Sequence, residues 1–439
     1  MSLVRAAGAI AEGYIPQRDG DGHGIPAGAI TAAQEDGFEL IIAVDCGTAD
    51  RTRVAEARDA GILVGIVDHH AVPPAPAQAA WLVNPNRPDD TSGQGHLAAA
   101  GHQLFVRARS KTPEALVNAL AATDRRRYPD PHYGRLCERL AAHHGVPAHR
   151  VLPTAGSSEA IRRLTLLAHL QGLGEAWVPA PGYGDYAAAA YALGLKVHGW
   201  PAPATLLEAL DRAHHPALVW LNEPCNPTGV SLPHSFWQSL AEIAWAKGHW
   251  LVLDRAYEPL RLEGRDPILP GMAARAWQLW SPNKALGLTG IRAGYVLAPT
   301  EAAEGLGQRL RALAPSWVLS AEGEQMLLAW WGEAVQAWLQ NSRRTLEQWR
   351  TMQRNLLGDL GWAQRATVTP FWLARPPLPA RLLELRLRQL RSAGLKLRDA
   401  SSFGLPGWVR VSTQSPDAQA ALALVWHDSR WKGEEGEGA

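Results

Sequence analysis

The sequence predicts an α/β fold, built from a large, mostly parallel sheet and a smaller α/β domain that follows it. Between about residues 145 and 310, short apolar runs alternate with helical patterns, which is the order that a parallel sheet requires. Two of these runs, LVWLN and WLVLD, end in a polar side chain and a turn. A strand, a helix and a second strand region then follow within residues 366–413 and predict the smaller domain.

Composition limits the classes of function. With 439 residues, 46% of them hydrophobic, the chain has enough core material for two or three domains. Its formal net charge of +1 implies no general attraction to nucleic acid or membranes. The longest apolar runs fall well below the roughly 18 residues of a membrane span, and no signal peptide pattern is present. Three separated cysteines, Cys46, Cys137 and Cys225, argue against disulfides or a zinc site, so we expect a cytoplasmic protein.

The first 100 residues carry a pattern of their own. Two predicted strands end in acidic residues, FELIIAVD at Asp45 and GILVGIVD at Asp68, and His69 follows the second one directly. Carboxylates and histidines at the ends of neighbouring parallel strands are suited to bind divalent metals for phosphoester hydrolysis. The alternative is an α/β unit whose polar residues at the strand ends cap helices.

The stretches YIPQRDGDGHG, AVDCGT, IVDHH, VNPNRPDD and GHLAAAG resemble the DHH phosphoesterase family, most closely RecJ-type single-strand DNA exonucleases. The resemblance implies a truncated domain over residues 1–103, with Mn²⁺ or Mg²⁺ at Asp45, Asp68 and His69 only if that site is retained. The aspartate-rich motif that begins the family has no counterpart here. Residues 1–110 carry 8 basic and 13 acidic side chains, and a charge of −5 is poor for binding a phosphate backbone. We therefore expect a vestigial metal site, no competent nuclease and no nucleic-acid partner.

Residues 104–112 predict a junction. The passage HQLFVRARSKT is short and basic and lacks the Gly/Pro character of a flexible linker, so it looks like a splice of two unrelated reading frames. After it we expect a large domain with a helical N-terminal segment over residues 113–310. A small C-terminal domain over residues 311–430 and a disordered tail over residues 431–439 complete the prediction.

The segment SPNKALGLTGIRAGY, residues 281–295, predicts a cofactor anchor. Lys284 lies on a Gly-rich turn between Ser281 and Arg292. A lysine that forms a Schiff base needs a fixed turn and a permanent cation nearby for a phosphate, and Ser281 adds a hydroxyl for the same phosphate. Taken alone, the segment also suits a solvated surface lysine.

Two upstream strands end in side chains that suit a pyridine ring. Asp254 closes WLVLD, and a carboxylate there can keep a pyridine nitrogen protonated, so that the ring accepts electrons. Tyr257 lies three residues further on, and Asn226 lies in the turn after LVWLN. Both side chains can donate to the phenolic oxygen of the same ring.

The stretch LPTAGSSEAIRRL predicts a phosphate site. Gly156, Ser157 and Ser158 stand at the start of a helical pattern, where free backbone N–H groups and the helix dipole favour a phosphate. A helix-capping turn is the simpler alternative.

Together, AGSSEAI, PGYGDY, NEPCNPTG, DRAY and SPNKALGLTGIRAGY resemble the class I/II aminotransferases of fold type I, over roughly residues 113–428. The resemblance implies pyridoxal 5'-phosphate on Lys284 and a small-molecule amino acid as substrate. It assigns Tyr183 to stacking on the pyridine ring and Tyr128 to the cofactor phosphate of the second subunit in a homodimer. Arg410, in the apolar strand WVRV, needs an anion, and the resemblance makes that anion the α-carboxylate of the substrate.

Within this family the sequence is most similar to the branch of histidinol-phosphate aminotransferase and threonine-phosphate decarboxylase. The segment LRDASSFGLPGWVRV looks more like the threonine-phosphate decarboxylases of cobalamin biosynthesis. Because the two reactions share their catalytic residues, an aminotransferase acting on histidinol phosphate or another amino acid remains the alternative. The nuclease interpretation of the N-terminal unit is the alternative from another class.

Overall fold

The computed structural model describes residues 24–44, 46–67, 73, 75–83, 113–302 and 304–427. The chain divides into two compact units, residues 1–100 and residues 101–439. The predicted junction at residues 104–112 and the predicted tail at residues 431–439 lie outside the described residues.

The N-terminal unit contains a three-stranded parallel sheet in the order β1-β2-β3. Alternate residues of a strand point to the same face of the sheet. In the first two strands, one such face is buried under helices. Ala43, Val64 and Ile66 lie on that face and join Ile30 and Val54 of the helices in one apolar cluster. The elements of this unit are α1 (Ala27–Glu35), β1 (Leu40–Val44), α2 (Arg51–Asp59), β2 (Leu63–Val67) and β3 (Trp81–Val83).

The second unit is organised by a seven-stranded sheet in the order β4-β10-β9-β8-β7-β5-β6. Only β10 runs antiparallel to its neighbours, β4 and β9. The strands are β4 (Val151–Thr154), β5 (Glu175–Pro179), β6 (Lys196–Trp200), β7 (Leu218–Asn222), β8 (Trp250–Asp254), β9 (Trp277–Trp280) and β10 (Gly294–Leu297). The predicted α/β class with a large, mostly parallel sheet is confirmed.

Helices cover both faces of this sheet, as parallel strands require. The interior strand β7 is buried along its whole length. Its Leu218 and Trp220 pack on the side of α5 and α6, whereas Val219 and Leu221 pack on the side of α7 and α8. The helices up to the end of this domain are α3 (Glu114–Ala121), α4 (Gly134–His144), α5 (Ser157–Leu170), α6 (Gly184–Ala192), α7 (Pro203–Arg212), α8 (His234–Lys247), α9 (Pro270–Arg275) and α10 (Leu306–Ala312).

The smaller domain is an antiparallel sheet in the order β11-β12-β14-β13, packed against helices. A long helix, α12, leads into it from the large domain. Before it, α11 (Ala321–Trp330) packs in the core of the large domain. The elements that follow are α12 (Glu333–Asp359), β11 (Ala363–Gln364), β12 (Phe371–Arg375), α13 (Ala380–Ser392), β13 (Arg398–Asp399), β14 (Val409–Ser412) and α14 (Pro416–His427). Among the helices within the described ranges, none has the length and apolarity needed to cross a bilayer.

The segment before β12 attaches the small domain to two loops of the large domain. The Val368 backbone N–H donates to the Gly229 carbonyl oxygen at 2.8 Å, and the Leu262 N–H donates to the Val368 carbonyl oxygen at 2.7 Å. Thr367 Oγ1 lies against the same glycine. Gly229 has a φ of +72°, and a Cβ atom there would overlap Thr367 Oγ1 and lie 2.6 Å from the Phe371 carbonyl oxygen.

Replacing Gly229 by alanine is therefore expected to destabilise the second unit severely. The left-handed backbone alone costs about 1–2 kcal/mol for an L residue, and the overlap adds about 1–3 kcal/mol. Gly264→Ala is the matched control, because Gly264 has a φ of +74° and open space around its Cβ position. Urea denaturation followed by tryptophan fluorescence measures both variants. Equal destabilisation of the two would contradict the close packing at Gly229.

Candidate active site

The direction of the strands in the second unit explains where its predicted site residues lie. In a parallel sheet, the residues after each strand meet at the carboxyl edge. Asn222 and Asp254 are paired neighbours at the ends of β7 and β8, and Ser281 follows β9 directly. Because β10 runs the opposite way, Arg292, two residues before its start, lies at the same edge. The topology therefore brings the lysine turn, the acidic strand end and the arginine together.

Asn283 holds the turn that carries Lys284. Its Oδ1 accepts from the Ser281 hydroxyl at 3.0 Å, and its Nδ2 donates to the Ile291 carbonyl oxygen at 3.3 Å. Lys284 Nζ lies 5.4 Å from the centre of the Tyr257 ring. Asn283 is 2% exposed and adjoins the lysine, but its local sequence does not distinguish it from an ordinary turn residue.

Asp254 is a buried carboxylate with a full set of partners. Its Oδ1 accepts from the Ala256 backbone N–H at 2.9 Å, and its Oδ2 accepts from the Tyr186 hydroxyl at 2.6 Å. Burial raises the pKa of Asp254, while the Tyr186 hydrogen bond, the positive charge of Lys284 and the Ala256 N–H act in the opposite direction. Burial outweighs these opposing effects, so the pKa of Asp254 stays above its ordinary value.

Tyr186 is the hydrogen-bond partner of Asp254 that the local sequence does not reveal. It is fully buried and stacks on Trp220, with ring centres 4.9 Å apart at an interplanar angle of 14°. The tyrosine is three residues after Tyr183 in PGYGDY, and its pattern alone is that of a packing residue. Only the fold brings its hydroxyl to Asp254.

Asn226 is positioned by a second asparagine. Asn222 Oδ1 accepts from the Asn226 backbone N–H at 2.7 Å, and Asn222 Nδ2 donates to the Asp254 carbonyl oxygen at 3.0 Å. The Asn226 side chain then meets Arg410 of the small domain, whose Nη1 donates to Asn226 Oδ1 at 2.5 Å. Asn226 and Asp254 are therefore linked through one buried side chain.

A cradle for an anion lies at the start of α5. Gly156 has a φ of +91°, and a Cβ atom there would lie 2.7 Å from Arg292 Nη2. The hydroxyls of Thr154 and Ser157 are buried, yet they find no hydrogen-bond partner among the described residues. Free helical N–H groups, an arginine and two orphaned hydroxyls fit a phosphate.

Ser158 and Tyr183 belong to the wall beside this cradle. The Ser158 hydroxyl lies 3.1 Å from the Tyr183 hydroxyl, which donates to Asp185 Oδ2 at 2.8 Å. Burial raises the pKa of Tyr183 to about 12, so its hydroxyl stays protonated. The Tyr183 and Tyr186 rings meet edge to face, with centres 5.7 Å apart.

Arg410 lies in β14 opposite Arg398 of β13. Burial lowers the pKa of the Arg410 guanidinium; Tyr257 opposes this effect and Arg398 adds to it. Arg398 is exposed, and it donates to the Ser402 hydroxyl at 3.0 Å. Since residues opposite each other on neighbouring strands share a face of the sheet, the two guanidinium groups point to the same side.

Tyr128 lies apart from this cluster. It is 76% exposed and stacks on Trp317, with ring centres 4.2 Å apart at 24°. Trp317 has a φ of +50°, which is unusual for a tryptophan. The metal residues predicted for the N-terminal unit, Asp45, Asp68 and His69, lie outside the described residues. Among the described parts of the chain, no group of three possible metal ligands occurs.

Removing the Tyr186 hydroxyl is expected to make stability depend more strongly on pH. An acid whose pKa is raised by folding contributes stability at low pH that is lost as the pH rises through the raised value. Tyr186→Phe raises the pKa of Asp254 further, so its destabilisation should be small near pH 4 and reach about 1–3 kcal/mol at pH 8. Urea denaturation without added pyridoxal phosphate measures this difference. The exposed Tyr191→Phe is the control, and a difference from wild type that is equally large at both pH values would contradict the role of the hydroxyl.

Two family models match the chain. The model for aminotransferase class I and II matches residues 93–424, and the model for the N-terminal domain of the DHH family matches residues 1–122. Both resemblances in the sequence are thereby confirmed at the level of the family, the second one by the family model alone.

Curated relatives are similar to the second unit. The arginine–pyruvate transaminase of Pseudomonas aeruginosa is 32% identical over 211 residues, covering 43% of this chain and 53% of that protein. The histidinol-phosphate aminotransferase of Acidovorax ebreus is 29% identical, covering 39% and 49%. The threonine-phosphate decarboxylase of Salmonella typhimurium is 29% identical over 242 residues, covering 51% and 63%. The chain spans about half the length of the curated relatives it matches.

Solved structures share the fold. A histidinol-phosphate aminotransferase from Sinorhizobium meliloti, in complex with pyridoxal-5'-phosphate, aligns with a TM-score of 0.59 at 24% identity, covering 72% of this chain and 86% of that one. The L-threonine-O-3-phosphate decarboxylase from Porphyromonas gingivalis aligns with a TM-score of 0.59 at 22% identity, covering 73% and 97%. These likenesses concern the fold. The family model for aminotransferase class I and II matches residues 93–424, well over half of the sequence, and the chain therefore belongs to the class I and II aminotransferases.

Proposed function

We propose that the chain is a pyridoxal-phosphate-dependent enzyme that acts on an amino acid. The observation that carries the proposal is the surroundings of Lys284. Its Nζ lies beside the Tyr257 ring, and its charge acts on the buried carboxylate of Asp254. A primary amine close to a buried carboxylate and to side-chain donors suits a cofactor that has an aldehyde, a phenolic oxygen and a pyridine nitrogen.

The residues of the site fit this cofactor at both of its ends. The hydroxyls of Thr154 and Ser157, the N–H groups of α5 and the Arg292 guanidinium would hold the phosphate. Ser281, whose hydroxyl donates to Asn283, also lies on this side of the lysine turn. A bound phosphate would give the buried hydroxyls of Thr154 and Ser157 the hydrogen-bond partners that buried polar groups need.

At the ring end, Asp254 would face the pyridine nitrogen, and Asn226 and Tyr257 would donate to the phenolic oxygen. Since Asn226 Oδ1 accepts from Arg410, its Nδ2 is turned toward other acceptors. Tyr183 would cover the face of the ring, where an aromatic side chain fixes its orientation.

When bound, pyridoxal phosphate supplies a sink for the electrons released at the substrate α-carbon. The chain's own groups do the rest of the work. Asp254, supported in its charged form by Tyr186, stabilises a protonated ring nitrogen. Arg410 binds the substrate α-carboxylate with its planar fork and so orients the bonds at the α-carbon. The Lys284 amine holds or moves a proton at that carbon.

The two arginines at the edge of the small domain support a substrate with two anionic groups. Arg410 is buried beside Asn226, and Arg398 is exposed on the same face of the sheet. An α-carboxylate and a phosphate on one amino acid would satisfy both guanidinium groups, and threonine phosphate has this chemistry. We therefore place decarboxylation of threonine phosphate, with a role in cobalamin biosynthesis, first. A transaminase acting on histidinol phosphate or on another amino acid is the second candidate, because the curated relatives include a histidinol-phosphate aminotransferase and an arginine–pyruvate transaminase.

The active form in this proposal is a homodimer. Tyr128 and Trp317 form a stacked aromatic pair that is largely exposed in the single chain, although large aromatic side chains favour buried positions. A second copy that covers the pair would bring Tyr128 to the cofactor phosphate of its partner, as the family resemblance implies.

Lys284→Ala tests the anchor. The wild-type protein, incubated with pyridoxal phosphate, should develop a visible absorbance band that Lys284→Ala lacks, because the lysine amine forms the bond to the cofactor. Addition of threonine phosphate should shift the wild-type band, and analysis of the product separates loss of CO₂ from transfer of the amino group. Sedimentation velocity on the same sample measures the fraction of the protein that is dimeric. A band of equal intensity in both proteins, or no band in either, would contradict the proposal.

Arg398→Gln tests the substrate. It should lower kcat/KM for threonine phosphate about 10- to 100-fold, since a hydrogen bond to a charged group contributes about 1.5–3 kcal/mol. Activity with threonine should change little, whereas Arg410→Gln should impair both substrates. Arg391→Gln, an exposed arginine on α13, is the control for a lost surface charge. If Arg398→Gln impaired threonine and threonine phosphate equally, its proposed role in binding the phosphate would be wrong.

A further inference from the structure

A buried ion-pair network lies behind the two loops that carry Asn226 and Tyr257. Arg261 Nη2 donates to Glu223 Oε1 at 2.7 Å. The same guanidinium donates to Glu258 through Nε at 3.0 Å and Nη2 at 2.9 Å, and Nη1 donates to the Ser231 hydroxyl at 3.1 Å. We call Glu223, Arg261 and Glu258 the loop clamp.

Glu223 closes the first loop on itself. Its Oε2 accepts from the Leu232 backbone N–H at 2.9 Å, and its Oε1 accepts from the Ser231 hydroxyl. Asn226 lies between these two ends of the loop. One carboxylate thus joins the entry and the exit of the segment that presents the Asn226 amide.

Arg261 joins this loop to the second one. Its partner Glu258 directly follows Tyr257, and the Arg261 backbone N–H donates to the Glu258 carbonyl oxygen at 3.0 Å. The clamp therefore connects the backbone next to one proposed cofactor donor with the loop of the other. No step of the proposed reaction uses these three side chains.

Burial makes a purely stabilising role a poor explanation of the clamp. The side chains of Glu223 and Arg261 are 0% and 6% exposed. Burial raises the pKa of Glu223, against the hydrogen bonds from Leu232, Ser231 and Arg261. Moving two charges from water into the protein interior costs about as much free energy as their attraction contributes. An apolar pair that packs well therefore often stabilises a fold equally well. The ion pair also fixes the relative orientation of its members, because a planar guanidinium donates its hydrogen bonds in one geometry.

We propose that Glu223 and Arg261 are positioning residues that hold Asn226 and Tyr257 at the spacing at which both donate to one oxygen of the bound cofactor. The inference rests on the proposed function. Neither residue touches the cofactor, and each acts through the loop that it clamps.

The clamp should be visible in the titration of the lysine-bound cofactor. Two donors on the phenolic oxygen weaken its hold on the proton of the neighbouring Lys284 nitrogen and so lower the pKa of that nitrogen. When the loops drift apart, the oxygen recovers electron density and the proton is held more tightly. The midpoint of the absorbance change with pH should therefore move upward.

Glu223→Gln is the first test, since it keeps the shape and removes the charge. The absorbance midpoint of the protein with bound pyridoxal phosphate is expected to rise by about 0.5–1 pH unit. Arg261→Lys, which keeps the charge but loses the fork, should shift it in the same direction and serves if Glu223→Gln fails to fold. The double variant should shift the midpoint by less than the sum of the single shifts, because the pair acts as one unit.

Glu263→Gln is the matched control. Glu263 follows the same loop and pairs with Arg350 at 3.1 Å, but it does not contact the Asn226 loop. Its midpoint should equal that of wild type. If the folded clamp variants titrate like wild type, the positioning role is wrong while the proposed function stands. If wild type forms no lysine-bound band at all, the proposed function fails and takes this inference with it.

Discussion

A carboxylate buried at the end of the central strand β8 is the constraint on which the rest of the site depends. Asp254 is 4% exposed, and a charge at that depth is costly unless it is hydrogen-bonded. The Tyr186 hydroxyl and the Ala256 N–H meet that need from within the protein, and the charge of Lys284 adds to it. Tyr186 in turn needs the aromatic packing of Trp220 to hold its ring. The buried acid therefore constrains Tyr186 in α6, Trp220 in β7 and the turn that carries Lys284.

The second organising contact joins the two domains of the unit. Arg410 comes from the small domain and Asn226 from the large one, and their hydrogen bond is buried. Because Arg410 Nη1 donates to Asn226 Oδ1, the position of the Arg410 guanidinium influences the direction of the Asn226 amide. Recognition of an amino-acid carboxylate and support of the cofactor ring are thus coupled in the proposed mechanism. The close packing at Gly229 holds the domains at the distance that this contact requires.

In our proposals the site depends on its surroundings in two ways, through the loop clamp and through the aromatic pair at Tyr128. Glu223 and Arg261 would act from behind the loops that carry Asn226 and Tyr257, where their side chains are buried. Tyr128 and Trp317 would act from the surface, where a partner would complete the site. The N-terminal unit has a sheet and an apolar core of its own.

The sequence by itself determined the α/β class and the residues proposed to handle the cofactor. Asp254, Asn226 and Lys284 follow apolar runs, so local pattern and the family resemblance together suffice to assign them, with Arg292, to one cofactor site. It did not reveal Tyr186, Asn283 or the partner of Glu223, because a buried hydroxyl, amide or carboxylate looks in sequence like packing or a turn. Those roles were decided by tertiary structure, since a hydrogen bond between residues 186 and 254, or 223 and 261, exists only after the strands have paired. The order in which the strands pair brings together residues that are far apart in the sequence and so sets those distances.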